Sequence, residues 1–398
     1  MSSQKIGLPL FILWLSHFLV DFMIGVWPVY KTIAELDLAV VGIMTAVCVM
    51  TGEGLQLLFG QMSDRGYRNT LIVLSLLCVS APCFFPFASG LVSLFCILLI
   101  ASIASGAFHP AAVSLAGSFS KTKKGILIAI FASGGSLGMA VSQLGYTFAL
   151  NSLGGNTWVL ILPFILLSLS VVYFGLLPKT EKKEGRGGIS LSTLRDFFRH
   201  RELSLLYFLQ LSSQTVVWAF IFLLPDILKA RGYENGIALG GGHFFYCMGG
   251  ALMIIPSGWL ADRFSYKNVL ITACSCGALL FYSVLFFRDL DPVFLAVALT
   301  LLGASIGVIN PVSVAYGYKL MPEKPGVVSA MLMGFVWIIA EGVGQGGSGL
   351  LTKLFTDDAP AKSMAILGLA FLIAIFAGIL LPGKREEVAE EPVTQVLA

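Results

Sequence analysis

Long apolar runs separated by short polar segments dominate the chain from residue 8 to residue 382. A helix needs about 20 mostly apolar residues to cross a bilayer, because each residue adds about 1.5 Å against a core of about 30 Å. The pattern therefore predicts an all-α integral membrane protein with twelve transmembrane helices. The predicted spans lie near residues 8–30, 38–60, 70–88, 92–117, 125–150, 157–178, 203–228, 237–260, 268–287, 293–318, 326–352 and 363–382.

The longest polar segment inside this pattern separates the sixth run from the seventh, at residues 179–202. We predict that it is a cytoplasmic linker between two bundles of six helices, residues 1–178 and 203–382. The acidic and polar residues 383–398 follow the last run. They are predicted to form a disordered cytoplasmic tail.

The composition excludes several classes of protein. Of the 398 residues, 57% are hydrophobic and 12% are charged, whereas soluble proteins carry roughly 25% charged residues. A water-soluble enzyme or nucleic-acid-binding domain could not bury so much apolar surface, and a net charge of +3 indicates no polyanionic partner. The sequence has no Walker-type glycine loop and no nucleophile–base pair. We expect no enzyme activity and no cofactor.

The basic residues are distributed unevenly between the two sides of the predicted bundle. If the N-terminus, the linker and the C-terminus share one side, that side holds 19 of the 25 Lys and Arg residues. Cytoplasmic loops carry such an excess. The bias predicts a plasma (inner) membrane protein with both termini in the cytoplasm.

Two motifs recur in the second half of the chain. Residues 60–65, Gly-Gln-Met-Ser-Asp-Arg, match residues 258–263 at an offset of 198, and residues 106–110, Gly-Ala-Phe-His-Pro, match residues 307–311 at an offset of 201. Parallel repeats of this kind place the substrate path between the halves, near the bilayer midplane. The fold is predicted to be two parallel six-helix pseudo-repeats.

The Gly-x-x-x-Asp-Arg sequence after the second helix, closed by Arg68, is similar to the signature loop of the major facilitator superfamily. The resemblance covers essentially the whole chain and implies a monomeric secondary transporter that works by alternating access. Within the superfamily, Ser16-His17, Asp21 and Phe108-His109-Pro110 most resemble the fosmidomycin-resistance group of drug exporters.

The repeated loop motif has a predicted gating role. Gly60 and Gly258 would allow a close helix crossing, and an acidic residue at a cytoplasmic helix end can pair with a helix dipole or a neighbouring Arg. Such pairing would hold the halves in the outward-open state; the alternative is a solvated turn. The predicted gate residues are Asp64, Arg65, Arg68, Asp262 and Arg263.

Ionisable residues inside the spans are functional candidates, because a charge at the bilayer centre costs about 2.5 kcal/mol or more. No Lys or Arg is predicted to lie deep in a span. The ionisable residues predicted inside the spans are Asp21, Glu53, Glu341, His17, His109 and His243.

His17 and Asp21 are four residues apart, so they share one face of the first helix. We predict that they couple transport to protons; the alternative is a neutral hydrogen bond that packs two helices. Glu341 and Glu53 are the further candidates for proton coupling. Glu53 could instead belong to a gate, and Glu341 could be a neutral acid held by a hydrogen bond between helices.

Prolines at equivalent places in the two halves, Pro110 and Pro311, predict kinked helices around a binding site. The alternative at His109 is a structural kink in which the imidazole binds a freed carbonyl. Because no basic residue lies deep in the membrane, we predict neutral or cationic amphipathic substrates. The predicted substrate-binding residues are His17, Asp21, His109, Asn310, Gln210, Gln214 and Trp218.

The leading interpretation is a proton-coupled exporter, an antiporter of drug-like molecules. Imidazole and carboxylate groups are also metal ligands, so a transporter of metal ions or metal chelates that uses His17, Asp21 and His109 is an alternative. Cysteine and methionine do not cluster with these residues. A non-transporting receptor on the same fold is a third possibility, against which the two intact loop motifs argue.

Overall fold

The computed structural model describes residues 7–120, 124–173, 177 and 191–383. Throughout this part of the chain the regular secondary structure is helical, which confirms the predicted all-α fold. Most of the predicted linker, residues 179–190, and the predicted tail from residue 384 lie outside the described residues.

The helices account for the twelve predicted spans. Ten helical segments of the described chain are long and apolar enough to cross a membrane. One of them, Leu38–Phe87, has 50 residues, about 75 Å at 1.5 Å per residue, and therefore provides two crossings. It reverses at Gly66, where φ is 107°. A shorter apolar helix, Thr157–Tyr173, supplies the remaining span.

We number the membrane helices α1 to α12. Their bounds are α1 Gly7–Ile33, α2 Leu38–Met62, α3 Arg68–Val79, α4 Leu91–Ser118, α5 Lys124–Ser152, α6 Leu162–Tyr173, α7 Arg201–Ala230, α8 Ile237–Phe264, α9 Tyr266–Phe286, α10 Pro292–Leu320, α11 Pro325–Leu354 and α12 Ala359–Ile379. A short linker helix, Leu191–Arg199, precedes α7. We call α1–α6 the N-terminal half and α7–α12 the C-terminal half.

Equivalent glycines form the same helix crossing in both halves. A Cβ atom on Gly106 of α4 would collide with the backbone of Gly52 in α2, and one on Gly307 of α10 would collide with the backbone of Gly250 in α8. Gly52 and Gly250 are 198 residues apart, and Gly106 and Gly307 are 201 apart. The sequence repeat therefore corresponds to a repeated packing contact.

The two halves meet through α2 against α11, α5 against α8, and the end of α1 against α7. A Cβ atom on Gly42 would lie 3.1 Å from the Cα of Gly349, and Thr147 Oγ1 donates a hydrogen bond of 2.7 Å to the Leu239 carbonyl. These contacts lie toward the end of the bundle that carries Lys31, Lys229 and Lys353, which we call the far end.

The opposite end, which we call the basic end, carries the turn Ser63–Tyr67, residues 119, 120 and 124, and residues 320–325. Near it, Gly54 of α2 and Gly334 of α11 have no heavy atom within 4 Å of an added Cβ. The same holds for Gly258, so the close crossing predicted there is wrong for this conformation, while Gly60 makes only an ordinary contact of 3.8 Å with Pro110. The path between the halves is closed at the far end.

Candidate functional site

Asp21 contacts two histidines within the N-terminal half. Its Oδ2 lies 3.2 Å from His17 Nε2, and its Oδ1 lies 3.3 Å from His109 Nε2. The helical spacing of α1 places His17 one turn from Asp21, whereas α4 brings in His109 from a distant part of the sequence. The structure thus joins three of the predicted site residues into one group, which we call the His–Asp–His cluster.

The other ring nitrogen of each histidine is bound to a backbone carbonyl. His17 Nδ1 lies 2.9 Å from the Phe131 carbonyl oxygen, and His109 Nδ1 lies 2.9 Å from that of Ser105. A carbonyl oxygen only accepts hydrogen bonds, so both Nδ1 atoms carry the proton. In a neutral imidazole each Nε2 would then present a lone pair to an oxygen of Asp21.

This geometry sets the number of protons in the cluster. Two acceptor atoms attract each other only when a proton lies between them, so each of the two Nε2–oxygen contacts requires one. Hydrogen bonds across both contacts therefore use two protons beyond those on the Nδ1 atoms. Loss of either proton removes the attraction across one contact, so the geometry of the cluster depends on its proton occupancy.

Helix α5 presses directly on the cluster. A Cβ atom on Gly135 would collide with Asp21 Oδ2 and His17 Nε2, and one on Gly138 would collide with the backbone of α1. The His17 ring also stacks on Phe131 of α5, with centroids 4.2 Å apart. Gly135 and Phe131 were not predicted as site residues. The spacing of the α5 glycines on one helix face is the signal that marks this close approach.

The other two membrane carboxylates face the cluster. Glu53 of α2 accepts a hydrogen bond from Gln56 and interacts electrostatically with His109 and Asp21. Glu341 of α11 interacts with Glu53 and Asp21. Acidic groups from both halves therefore lie within electrostatic range of one another.

Glu341 is buried without a partner. Its relative exposure is 7%, and within the described part of the chain it forms neither a hydrogen bond nor an ion pair. The hydrogen bond between helices that was the alternative for Glu341 is thus absent from the described residues. Trp337 lies one turn earlier on α11, and its indole Nε1 is buried with no acceptor among these residues.

The amide and aromatic residues predicted on α7 lie in the C-terminal half, where Trp218 is half-buried. Gln210 and Gln214 are buried, and both polar side-chain atoms of Gln210 lack a partner within the described residues. The Trp218 indole nitrogen and Asn310 Nδ2 lack one as well. Helix α7 packs closely on α11, because a Cβ on Gly344 would lie 3.4 Å from the Cβ of Trp218.

The two predicted proline kinks differ. Helix α10 is interrupted at Val308, just before Asn310-Pro311. Helix α4 stays helical through Pro110, so the two halves differ here, and a kink in α4 stays a prediction. In α4 the His109 imidazole binds the Ser105 carbonyl one turn earlier, and this additional hydrogen bond supports the helix where the proline removes one.

The structure corrects the placement of one basic residue. Lys31, predicted in an outer loop, lies inside α1, is 0% exposed and forms an ion pair with Asp226 of α7. Asp226, near the end of the predicted span 203–228, was not among the ionisable residues predicted inside the spans. The signal that could have marked the site is the recurrence of Lys31 as Lys229, at the same offset of 198 as the loop motif.

Two exposed ion pairs also join the halves at the far end. Lys229 Nζ lies 2.9 Å from Glu35, and this contact holds the pKa of the Glu35 carboxyl below its ordinary value. Lys353 Nζ lies 2.5 Å from Asp37, and its hydrogen bond lowers the pKa of Asp37. Both pairs are hydrated and contribute little to stability.

His243 of α8 adds a buried contact between the halves, because its Nε2 donates a hydrogen bond of 2.9 Å to the Met139 carbonyl of α5. It does not belong to the His–Asp–His cluster. His243 therefore serves to pack α8 against α5.

The predicted gate residues lie at the basic end. Asp64 and Asp262 form no salt bridge with any described residue. Arg65 is exposed and Arg68 is buried, while the Arg263 guanidinium lies 5.3 Å from the ring centroid of Trp259. An ion pair that latches the halves through this motif stays a prediction for the opposite conformation.

The His–Asp–His cluster is also a possible ligand set for a metal. The ligand atoms of His17, Asp21 and His109 all lie within 4.8 Å of one another. The donor set of two imidazoles and a carboxylate suits a first-row divalent ion.

Two helical halves, closed at one end and lined near the middle by buried ionisable groups, define a secondary membrane transporter. The chain belongs to the Major Facilitator Superfamily, whose family model matches residues 10–340. It is therefore a transporter of small molecules and not an enzyme, as predicted.

The chain is similar to an uncharacterised MFS-type transporter, YfnC, of Bacillus subtilis (strain 168), with 24% identity over 95% of this chain and 93% of the relative. A bacterial homologue of the human lysosomal transporter Spinster, in an inward-facing and unoccupied conformation, has a TM-score of 0.79 and 15% identity over 96% of this chain and 98% of its own. The nucleoside transporter NupG has a TM-score of 0.75 and 15% identity over 95% of this chain and 100% of its own.

Proposed function

We propose that the protein is a proton-coupled exporter of neutral or cationic amphipathic molecules, and that Asp21 and its two histidines are the coupling site. The observation that carries this proposal is the Asp21 carboxylate, bound on both oxygens by imidazoles whose other nitrogens are tied to carbonyls. Such an arrangement gains or loses protons one at a time, and each change alters a contact between helices.

The coupling follows from where these residues lie. His17 and Asp21 are on α1 and His109 is on α4, so proton loss weakens the contact between two helices of the N-terminal half. Glu53 and Glu341 respond electrostatically to the same change, and Glu341 belongs to the C-terminal half. Proton occupancy in one half thereby alters the interaction between the halves, which is what coupling requires.

The preference for a cation is supported by Glu341. A carboxylate buried without a cation or a hydrogen-bond donor is costly, and a positively charged substrate would supply the missing partner. Trp337, one turn away, offers an aromatic ring to a lipophilic cation. With Glu53, three carboxylates lie near the path, whereas the cluster has two histidines. This excess of acidic groups favours a cation over an anion.

The orientation is proposed from the positive-inside rule, with the basic end and both termini in the cytoplasm of the plasma (inner) membrane. In that orientation the closed far end is the outer end, and the conformation is inward-facing. The proposed subgroup is that of the fosmidomycin-resistance exporters. It is supported by the contact of Asp21 with both His17 and His109. These residues belong to the two segments, in α1 and α4, that carry the resemblance.

Transport of a divalent metal ion is the second candidate function, favoured by the ligand set of His17, Asp21 and His109. In this case the ion is the cargo and takes the place of the two shared protons. Uptake of zinc into inverted vesicles that is abolished in His109→Gln, with no transport of organic cations, would favour it over the leading proposal.

The leading proposal is tested in inverted membrane vesicles. Tetraphenylphosphonium should accumulate when a proton gradient is imposed and should not accumulate without one. A phosphonate of similar size should compete weakly, because Asp21, Glu53 and Glu341 place three carboxylates near the path. Phosphonate competition as strong as that of a second lipophilic cation would contradict the predicted substrate charge.

A further inference from the structure

Lys31 and Asp226 form a buried ion pair between the halves. Lys31 of α1 is 0% exposed, and the side chain of Asp226 of α7 is 11% exposed. Asp226 also accepts a hydrogen bond of 2.8 Å from Thr32 Oγ1, and the Lys31 ammonium lies 4.4 Å from the ring centroid of Phe222. Both charges are therefore satisfied by contacts that exist only while the halves meet at the far end.

We infer that the Lys31–Asp226 pair is the gate of the far end, the contact whose formation and rupture set the balance between the closed and open states there. The inference rests on the alternating-access cycle proposed above. It assigns a role to a pair that neither proton coupling nor substrate binding uses.

Burial distinguishes this pair from the two exposed pairs beside it. Lys229–Glu35 and Lys353–Asp37 are solvated in either state, so their loss changes the balance little. Lys31 and Asp226 compensate each other only in the closed state, where removal of one leaves the other buried and unpaired. When the far end opens, water solvates both charges, and an unpaired charge is then tolerated.

Lys31 and Asp21 lie on different segments of α1. Helix α1 is interrupted after Ile24, and Lys31 belongs to the short helical segment Trp27–Ile33. Asp21 lies in the longer segment Gly7–Ile24. The gate and the His–Asp–His cluster therefore occupy different parts of one helix, and the rupture of the Lys31–Asp226 contact breaks no contact within the cluster.

Hydrogen–deuterium exchange of the purified full chain in lipid nanodiscs tests the inference. In Asp226→Asn, amides of residues 33–38 and 230–237 should exchange about tenfold faster or more, because the closed state now buries an unpaired lysine. Amides of residues 320–326, at the basic end, should exchange more slowly. The swap Lys31→Asp with Asp226→Lys should return both regions toward wild-type rates.

Lys353→Gln is the matched control, since it removes an exposed pair between the same halves and should leave exchange nearly unchanged. Unchanged far-end exchange in Asp226→Asn would overturn the inference, as would a folded swap variant that fails to restore it. If Asp226→Asn does not fold, Lys31→Met with Asp226→Leu removes both charges and keeps the volume. That variant should hold the far end closed, and faster exchange there would contradict the gate.

The measurement involves no substrate and no proton gradient. A negative result would therefore remove the gate and leave proton coupling at Asp21 untouched. Conversely, loss of the coupling proposal would not alter the exchange rates expected for the gate variants.

Discussion

At the scale of single residues, the candidate site consists of ionisable residues that interrupt the apolar runs of the sequence. The spacing of His17 and Asp21 predicts their contact, because four residues make one helical turn. The approach of His109 depends on how α4 packs against α1, which no local pattern specifies. Lys31 was misplaced because a lysine near a helix end looks like a loop residue until its partner on another helix is known.

The role of α5 in holding the cluster is tested at Gly135. Gly135→Ala should displace His17 and Asp21, because the added methyl would occupy the space of their contacting atoms; overpacking of this kind costs about 1–3 kcal/mol. We expect loss of most gradient-driven transport and a lower melting temperature. Gly125→Ala on the same helix meets no atom within 4 Å and is the control. Equal behaviour of the two variants would contradict a specific role for Gly135.

At the scale of elements, hydropathy predicts the helices well because the bilayer imposes their length and apolar character. What it does not predict is how they cross. The contact of Gly52 with Gly106 depends on two helices that meet face to face, and α4 continues through Pro110 where the His109 side chain binds the Ser105 carbonyl. Both are consequences of packing between particular residues.

The α2–α4 crossing provides a closely matched pair of variants. Gly52→Ala should lower the melting temperature, because its methyl would collide with the backbone of Ser102 in α4. Gly54→Ala, two residues away, meets no neighbour and should be neutral or stabilising by up to about 1 kcal/mol. Thermal unfolding of both purified variants checks the expectation, which fails if Gly52→Ala is as stable as Gly54→Ala.

At the scale of the whole molecule, the repeat relates one half to the other, and the described contacts between them gather at the far end. The offset of 198 residues between the loop motifs predicts two related halves, and the equivalent glycine crossings agree with it. The conformation itself was not predictable from sequence, because an alternating-access chain must encode both of its states with a small difference in free energy.

We predict that the basic-end motif acts in the state opposite to the one described here. Asp64→Asn should therefore leave substrate binding nearly intact and slow turnover several-fold, since the substitution destabilises only the conformation that closes the basic end. Binding of tetraphenylphosphonium and its transport rate, measured on the same preparation, separate the two effects. Asp357→Asn, at an exposed loop of the far end, is the control; unchanged turnover in Asp64→Asn would remove the latch role.

The central claim, that the cluster at Asp21 couples transport to protons, is tested most directly by Asp21→Asn in proteoliposomes with an imposed pH gradient. Wild-type protein should concentrate tetraphenylphosphonium against its gradient. The variant should lose this accumulation yet still exchange labelled for unlabelled tetraphenylphosphonium, because the amide keeps the size of the carboxylate but cannot exchange a proton with two imidazoles. Accumulation by the variant at the wild-type level would contradict the account and would move the coupling site to Glu341.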